Sequence, residues 1–417
     1  MKRFGLYIII LLGSLLTVGC CKDDDELPPP EPTIQPRAEM ERTVIVYMAG
    51  DNSLGDASGY NAIPKDTAEM VLGKAMIPED VNFIIFVDDR QHKPAIYELS
   101  QKGGMQLWKQ YKEELCTSDS QTMLNILREI EQYFPARHYG ITFWSHASGW
   151  APTRTSTRFK TFGQDLDSGS SAGTFEMEIP VLHSVLAQLP KLDYIFFDAC
   201  FMQCIEVAYE LKDVTNYMVG SPAEIPGPGA PYDKIIEPLC KGDVNGIVMG
   251  YGSGYPSGIY SGVLLSCIDC SKLDDLAQAT GQLLTQLYMG RKGEDLGIYG
   301  FQVYCDSYSR DRKSKYPYYY DMRTTMNRLL SDNEEAYVRW MEHYNQAVPL
   351  RIHSTPSYDG QVRWYANFCT QSVILDPECY GGVSMFVPLT IYEGYGWNED
   401  FQKTSWYKAA GWEATGW

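Results

Sequence analysis

Two residues that can form a cysteine-based catalytic pair each lie at the end of a predicted strand. His146 follows the apolar run 138–144, and Cys200 follows the run 194–197. The carboxyl ends of parallel strands share one edge of a sheet, and consecutive strands often neighbour each other, so both side chains would face one cleft. The imidazole would take the proton of the thiol and return it to a leaving amine. The structural alternative is a buried thiol and a histidine that caps a strand.

Short apolar runs alternate with segments of helical spacing in the first half of the chain. Runs of this length, rich in β-branched and aromatic residues, predict strands that are buried on both faces. The predicted strands are 43–49, 81–88, 138–144, 194–197 and 217–220, with a small hairpin from 96–99 and 105–108. The predicted helices are 64–74, 120–134, 179–189 and 202–211. This alternation predicts an α/β fold with a largely parallel central sheet.

The alternation of predicted strands and helices stops after residue 270. Residues 272–289 and 322–344 have helical spacing, and 363–374 and 382–387 are predicted as strands. We therefore expect a mostly helical C-terminal segment, residues 271–417, whose late strands rejoin the sheet. No residue of this half suggests a chemical role.

The start of the chain predicts export and a lipid anchor. Residues 1–19 combine a basic start with a short apolar run, as a secretory signal does, and the run is too short to span a bilayer. Gly19 followed by Cys20 resembles a bacterial lipobox, which implies acylation of Cys20 and attachment to the outer membrane. The acidic and proline-rich residues 20–41 predict an extended tether. Their acidic run is either a surface-export signal or a solvated linker.

Charge and cysteine spacing exclude other functions. The chain has 35 Lys and Arg against 53 Asp and Glu, and its net charge of −18 disfavours nucleic-acid binding. Cys267 and Cys270 form a C-x-x-C pair, but a zinc ribbon needs a second pair. Asp165, Asp167 and Glu176 follow part of an EF-hand pattern, in which Ser170 replaces the required glycine, so we predict no EF-hand there and leave a calcium site of another kind open.

Several segments resemble the motifs of clostripain-type cysteine peptidases, distant relatives of caspases and gingipains. The three core motifs are matched by 43–52, 143–150 and 197–200, and two further segments by 221–227 and 381–388. The resemblance is strongest over 42–270 and implies a caspase-like three-layer sandwich for that peptidase core. It also implies protein or peptide substrates, and it allows a calcium requirement, although no cofactor is required by the residues themselves.

The resemblance assigns roles to individual residues. His146 and Cys200 would form the catalytic dyad, and the backbone N–H groups of Ala147 and Cys200 would hold the oxyanion. Ala147 stands where the family usually has glycine. Asp198 would lie at the floor of the S1 pocket and accept Arg or Lys at P1; the alternative is a carboxylate satisfied by backbone N–H groups. The segment 226–231 adds no further acid to that pocket.

We predict a lipid-anchored cysteine endopeptidase that cleaves after Arg or Lys. The alternative is a catalytically dead or transpeptidase-like surface lipoprotein that binds peptides on the same fold. Residues 151–174 predict an exposed loop, in which Arg158 and Lys160 are candidate self-cleavage sites; the alternative is a solvated loop with ordinary basic residues. The oligomeric state is left open.

Overall fold

The computed structural model describes residues 35–150, 162–166, 175–255, 262–288, 301–305, 319–330, 333–357, 359–367, 369 and 372–415. The part of the chain after Gln35 folds as one compact unit. The predicted signal sequence, Cys20, Arg158 and Lys160 lie outside the described residues.

A nine-stranded sheet forms the centre of the fold, in the order β12-β10-β9-β8-β5-β1-β2-β3-β4. Its strands are β1 (Met40–Gly50), β2 (Val81–Asp89), β3 (Ala95–Ser100), β4 (Gly104–Gln110), β5 (Ala136–Trp144), β8 (Leu192–Asp198), β9 (Thr215–Gly220), β10 (Leu264–Asp269) and β12 (Leu350–His353). The five strands from β9 to β2 run parallel, and the strands outside them pair antiparallel. The prediction of a largely parallel sheet is therefore confirmed.

Helices cover both faces of the sheet. Along β1, the alternate residues Val44, Val46 and Met48 pack into one apolar cluster, while the residues between them pack into another, as the two-residue period of a strand requires. The described helices are α1 (Ala62–Gly73), α2 (Ser120–Tyr133), α3 (Ile179–Leu186), α4 (Ile205–Leu211), α5 (Tyr232–Lys241), α6 (Val244–Gly254), α7 (Leu273–Tyr288), α8 (Met322–Leu329), α9 (Glu334–Ala347), α10 (Trp397–Phe401) and α11 (Ser405–Ala409). Residues of α1, α5 and α6 join the first cluster, and those of α2, α3, α4, α7 and α9 the second, so the fold is a three-layer sandwich.

The C-terminal half differs in detail from the prediction. The predicted helix 322–344 is two helices, because Asn333 caps a new helix and its side chain accepts the N–H of Ala336. Instead of a strand, the described residues of 363–374 form only an isolated bridge between Arg363 and Val373. The late strand is limited to β13 (Ser384–Met385), which pairs with β11 (Tyr320–Asp321) outside the central sheet.

One strand of this half does rejoin the sheet. β12 pairs antiparallel with β10 at the edge, whereas the sequence analysis expected 363–374 and 382–387 to rejoin the sheet. A further two-stranded sheet joins β6 (Phe162–Asp165) and β7 (Phe175–Met177). No helix of the described residues has the length and apolar character needed to cross a bilayer.

The register between β5 and β8 determines which residues lie opposite each other at the carboxyl edge of the sheet. These two strands are adjacent and parallel, and their last pair joins Trp144 to Asp198. His146 and Cys200 each follow two residues later. The loops that carry them therefore leave the sheet side by side.

Candidate active site

A cavity of about 340 Å³ opens at the carboxyl edge of the parallel strands. It is lined mainly by the ends of β5 and β8 and by the loops that follow β1, β5, β8 and β9. Gln164 of β6, Glu176 of β7 and two residues of the C-terminal half complete the lining. Four predicted site residues line it together, namely His146, Ala147, Asp198 and Cys200. The edge rule for parallel sheets thus located the cavity correctly.

The imidazole of His146 is held by the loop that follows β1. Its Nε2 lies 2.9 Å from the hydroxyl oxygen of Ser53. The neighbouring Asn52 fixes this loop, because its side-chain amide donates to the carbonyls of Ala49 and Gln164. Burial lowers the pKa of His146 to about 4, so the ring is neutral at pH 7 and can accept a proton.

The thiol of Cys200 is half-buried at the end of β8. Its Sγ accepts the backbone N–H of Ile225 at 3.5 Å. Burial, and then the carboxylate of Glu224, raises the pKa of this thiol to about 12. Thiol and imidazole are therefore both neutral at pH 7, and the thiol requires a base at the moment it attacks.

The backbone at Ala147, the predicted oxyanion residue, has an ordinary conformation. Among the described residues, the non-glycine residues with positive φ are Asn61 and Phe201. Ala147 consequently needs no glycine-only conformation, and its backbone pairs with Phe162 in an antiparallel bridge. The alanine is therefore compatible with the backbone conformation at this position.

Asp198 is buried at the cavity, with one carboxylate oxygen satisfied and one not. Oδ2 accepts the N–H of Ala230 at 3.0 Å and the hydroxyl of Tyr232 at 3.1 Å. Oδ1 has no hydrogen-bond partner among the described residues. Burial raises the pKa of this carboxyl to about 7. A cation in the cavity would therefore meet a carboxylate oxygen that has no partner among the described residues.

The clostripain family model, Peptidase C11, matches residues 46–417 of the chain. The chain belongs to the clostripain family. It is accordingly a cysteine-type peptidase, a hydrolase that acts on protein or peptide substrates.

Solved structures of this family share the fold. One is a secreted C11 cysteine protease from Bacteroides thetaiotaomicron in complex with an irreversible peptide inhibitor, at 27% identity and TM-score 0.74, covering 90% of this chain and 99% of that one. Another is an inactive zymogen C11 protease from Parabacteroides distasonis, at 25% identity and TM-score 0.71, with the same coverage. No curated protein matches the chain.

The acid Asp66 was missed by the sequence analysis. It lies on α1, is buried, and accepts the indole N–H of Trp144 at 2.7 Å. A Cβ placed on Gly229 would lie 3.0 Å from an oxygen of Asp198 and 3.5 Å from one of Asp66, so the two carboxyls approach the same point. Burial, and then Asp198, raises the pKa of Asp66 to about 9, so it is protonated at pH 7.

The C-terminal half also contributes to this clostripain-family site, although the sequence suggested no role for it. Tyr365 and Asn367 line the cavity. The N–H of Asn367 donates to the carboxylate of Glu224 at 2.8 Å, which attaches the segment to the loop after β9. A disulfide between Cys305 and Cys369 ties the same segment to the rest of the C-terminal half. Disulfides of this kind are typical of exported proteins.

The remaining candidates do not form a shared site. Cys267 and Cys270 are buried free thiols. Asp165 is buried, where it accepts the N–H of Thr117, whereas Glu176 lines the cavity. The described residues contain no cluster of histidine, cysteine and acidic side chains suited to a metal ion. Asp167 and Ser170 of the EF-hand-like pattern lie outside them.

Proposed function

We propose that the protein is an endopeptidase in which Cys200 is the nucleophile and His146 the base, with a preference for Arg or Lys at P1. The observation that carries the proposal is that these two side chains, at neighbouring strand ends, share one cavity with the incompletely satisfied carboxyl of Asp198. The intact pair also favours a working enzyme over a dead scaffold.

The geometry supports a two-step acyl transfer. With Nε2 of His146 held by Ser53, Nδ1 is assigned to take the thiol proton as Sγ of Cys200 attacks the carbonyl carbon. The N–H groups of Ala147 and Cys200 receive the oxyanion. The imidazolium then protonates the leaving amine, and water hydrolyses the acyl-enzyme with His146 again as base.

Asp198 is the residue proposed to select a basic P1 side chain. A guanidinium or ammonium group would supply the partner that its Oδ1 lacks. Among the described residues that line the cavity, none is Lys or Arg.

A pair of thiol-reactive peptide probes that differ only in P1, Arg against Gln, tests the proposed function. The Arg probe should label the wild type at one residue, identified as Cys200 by mass spectrometry, and should leave Cys200→Ala unlabelled. Cys116→Ala is the matched control, since it removes another half-buried free thiol and should label normally. Labelling of Cys200→Ala would overturn the nucleophile, and equal rates with both probes would overturn the P1 preference.

Anchoring through Cys20 is a separate proposal. In a Gram-negative host, the mature N-terminus should be an acylated Cys20, and the protein should sediment with membranes. Mass spectrometry of the N-terminal peptide measures this, with Cys21→Ala as the control that keeps the anchor. An unmodified N-terminus at another residue would contradict the proposal.

Self-cleavage after Arg158 or Lys160 stays a prediction, since the loop lies outside the described residues. A basic P1 preference would make both residues substrates of the enzyme itself, in the type of exposed loop where nicking occurs.

A further inference from the structure

Tyr319 contacts both loops that carry the proposed catalytic residues. It lies just before β11 in the C-terminal half and is buried. Its hydroxyl donates a hydrogen bond to the carbonyl oxygen of Ser148, two residues after His146. Its ring stacks on Phe201, the residue after Cys200, with 4.8 Å between ring centroids and 13° between ring planes.

The backbone around these contacts is tightly constrained. Phe201 has φ of 61°, a left-handed conformation that costs a bulky residue about 1 kcal/mol or more and persists only where the surroundings impose it. Gly149, at φ 72°, has no space for a side chain, since a Cβ there would lie 2.8 Å from the carbonyl oxygen of Phe201 and 3.2 Å from the ring of Tyr319. The two catalytic loops thus touch each other where Tyr319 packs against both.

The backbone of Tyr319 is itself fixed. Its carbonyl accepts the N–H of Tyr304 at 2.8 Å, and the next residue, Tyr320, pairs with Val303. Cys305 of the same segment forms the disulfide to Cys369, near the cavity wall. Tyr319 therefore connects a restrained segment to the two catalytic loops.

We propose that Tyr319 is a positioning residue, which holds the loop of His146 and the loop of Cys200 in the relative placement that proton transfer requires. The proposal rests on the dyad of the proposed function. Tyr319 itself does not line the cavity or contact Asp198 through any described hydrogen bond. Its loss should therefore lower kcat and leave substrate binding nearly unchanged.

Two substitutions separate its contacts. Tyr319→Phe removes the hydrogen bond to Ser148 and keeps the stacked ring, so kcat should fall about tenfold with KM within about twofold. Tyr319→Ala removes both contacts. The kcat should then fall about a hundredfold, because His146 and Cys200 would no longer be held in the placement that proton transfer requires. The concentration of active sites is measured by titration with the P1 Arg probe. The kcat is calculated from that concentration, so unfolded enzyme does not lower it.

The matched control is Tyr344→Phe, because the hydroxyl of Tyr344 is also buried and donates to a backbone carbonyl, that of Gly381, away from the cavity. It should lower Tm about as much as Tyr319→Phe does and leave kcat unchanged. If Tyr319→Phe lowers Tm but retains full kcat, or raises KM alone, the positioning role is wrong. Inactive Cys200→Ala beside fully active Tyr319→Phe would overturn only this inference, whereas active Cys200→Ala would overturn the dyad.

Discussion

Cys200→Ala should lower peptide hydrolysis at least about ten-thousandfold, because removing a nucleophile leaves only binding and the oxyanion site to accelerate the reaction. His146→Ala should cost nearly as much, and the double variant little more, since the two residues act as one unit. The measurement is kcat/KM on a peptide cleaved by the wild type, with Tm recorded for each variant. Full activity in Cys200→Ala would overturn the assignment.

The pH dependence of kcat/KM tests whether His146 and Cys200 are both neutral in the free enzyme. The pKa of His146 is lowered to about 4, and that of Cys200 raised to about 12. The base is lost only as the pH falls through its pKa, so kcat/KM for a substrate with a neutral P1 residue should fall to half near pH 4. A fall near pH 6.5, the ordinary pKa of histidine, or a thiolate absorbance at pH 7 that disappears in Cys200→Ala, would instead indicate an ion pair.

Asp198→Asn should lower cleavage after Arg about a hundredfold while cleavage after neutral residues changes by a few-fold at most. The reason is that a desolvated guanidinium loses its charged partner. The measurement is kcat/KM for two peptides that differ only at P1. Equal losses on both peptides, with Tm preserved, would assign Asp198 a purely structural role.

A pH effect should accompany this specificity. The pKa of Asp198 is raised to about 7, mainly by burial, so the carboxylate is present above that pH and is lost as the pH falls through it. Cleavage after Arg should therefore weaken below about pH 7, and cleavage after a neutral residue should not. Asp88→Asn is the matched control, since Asp88 is also buried with a raised pKa, accepts a hydrogen bond from the hydroxyl of Thr117, and does not line the cavity.

Local patterns in the sequence predicted the centre of the fold and the dyad. The runs that became β1, β2, β5, β8 and β9 are continuous and apolar because both faces of these strands are buried, and that property is visible in any short window. Because ligands bind at the carboxyl edge of parallel strands, the sequence also predicted that His146 and Cys200 lie close together. Whether they react as proposed stays a prediction.

Helix α6 shows where local propensity fails. Its eleven residues include Gly246, Gly250, Gly252 and Gly254, which disfavour a helix in isolation. Packing explains the exception, because a Cβ on Gly250 would lie 2.9 Å from Ile235, and one on Gly252 would lie 2.4 Å from Ile352. The glycines permit a close approach to α5 and β12, and neither neighbour is known until the chain has folded.

By itself, the sequence determined the strand pattern, the acidic surface charge and the chemical types at each strand end, since these follow from composition and short periodicity. Only the tertiary structure decided that Asp66 approaches Asp198, that Tyr365 and Asn367 wall the cavity, and that Tyr319 touches both catalytic loops. These contacts join residues more than a hundred positions apart. No local period encodes such pairs, because they arise from how whole layers pack on the sheet.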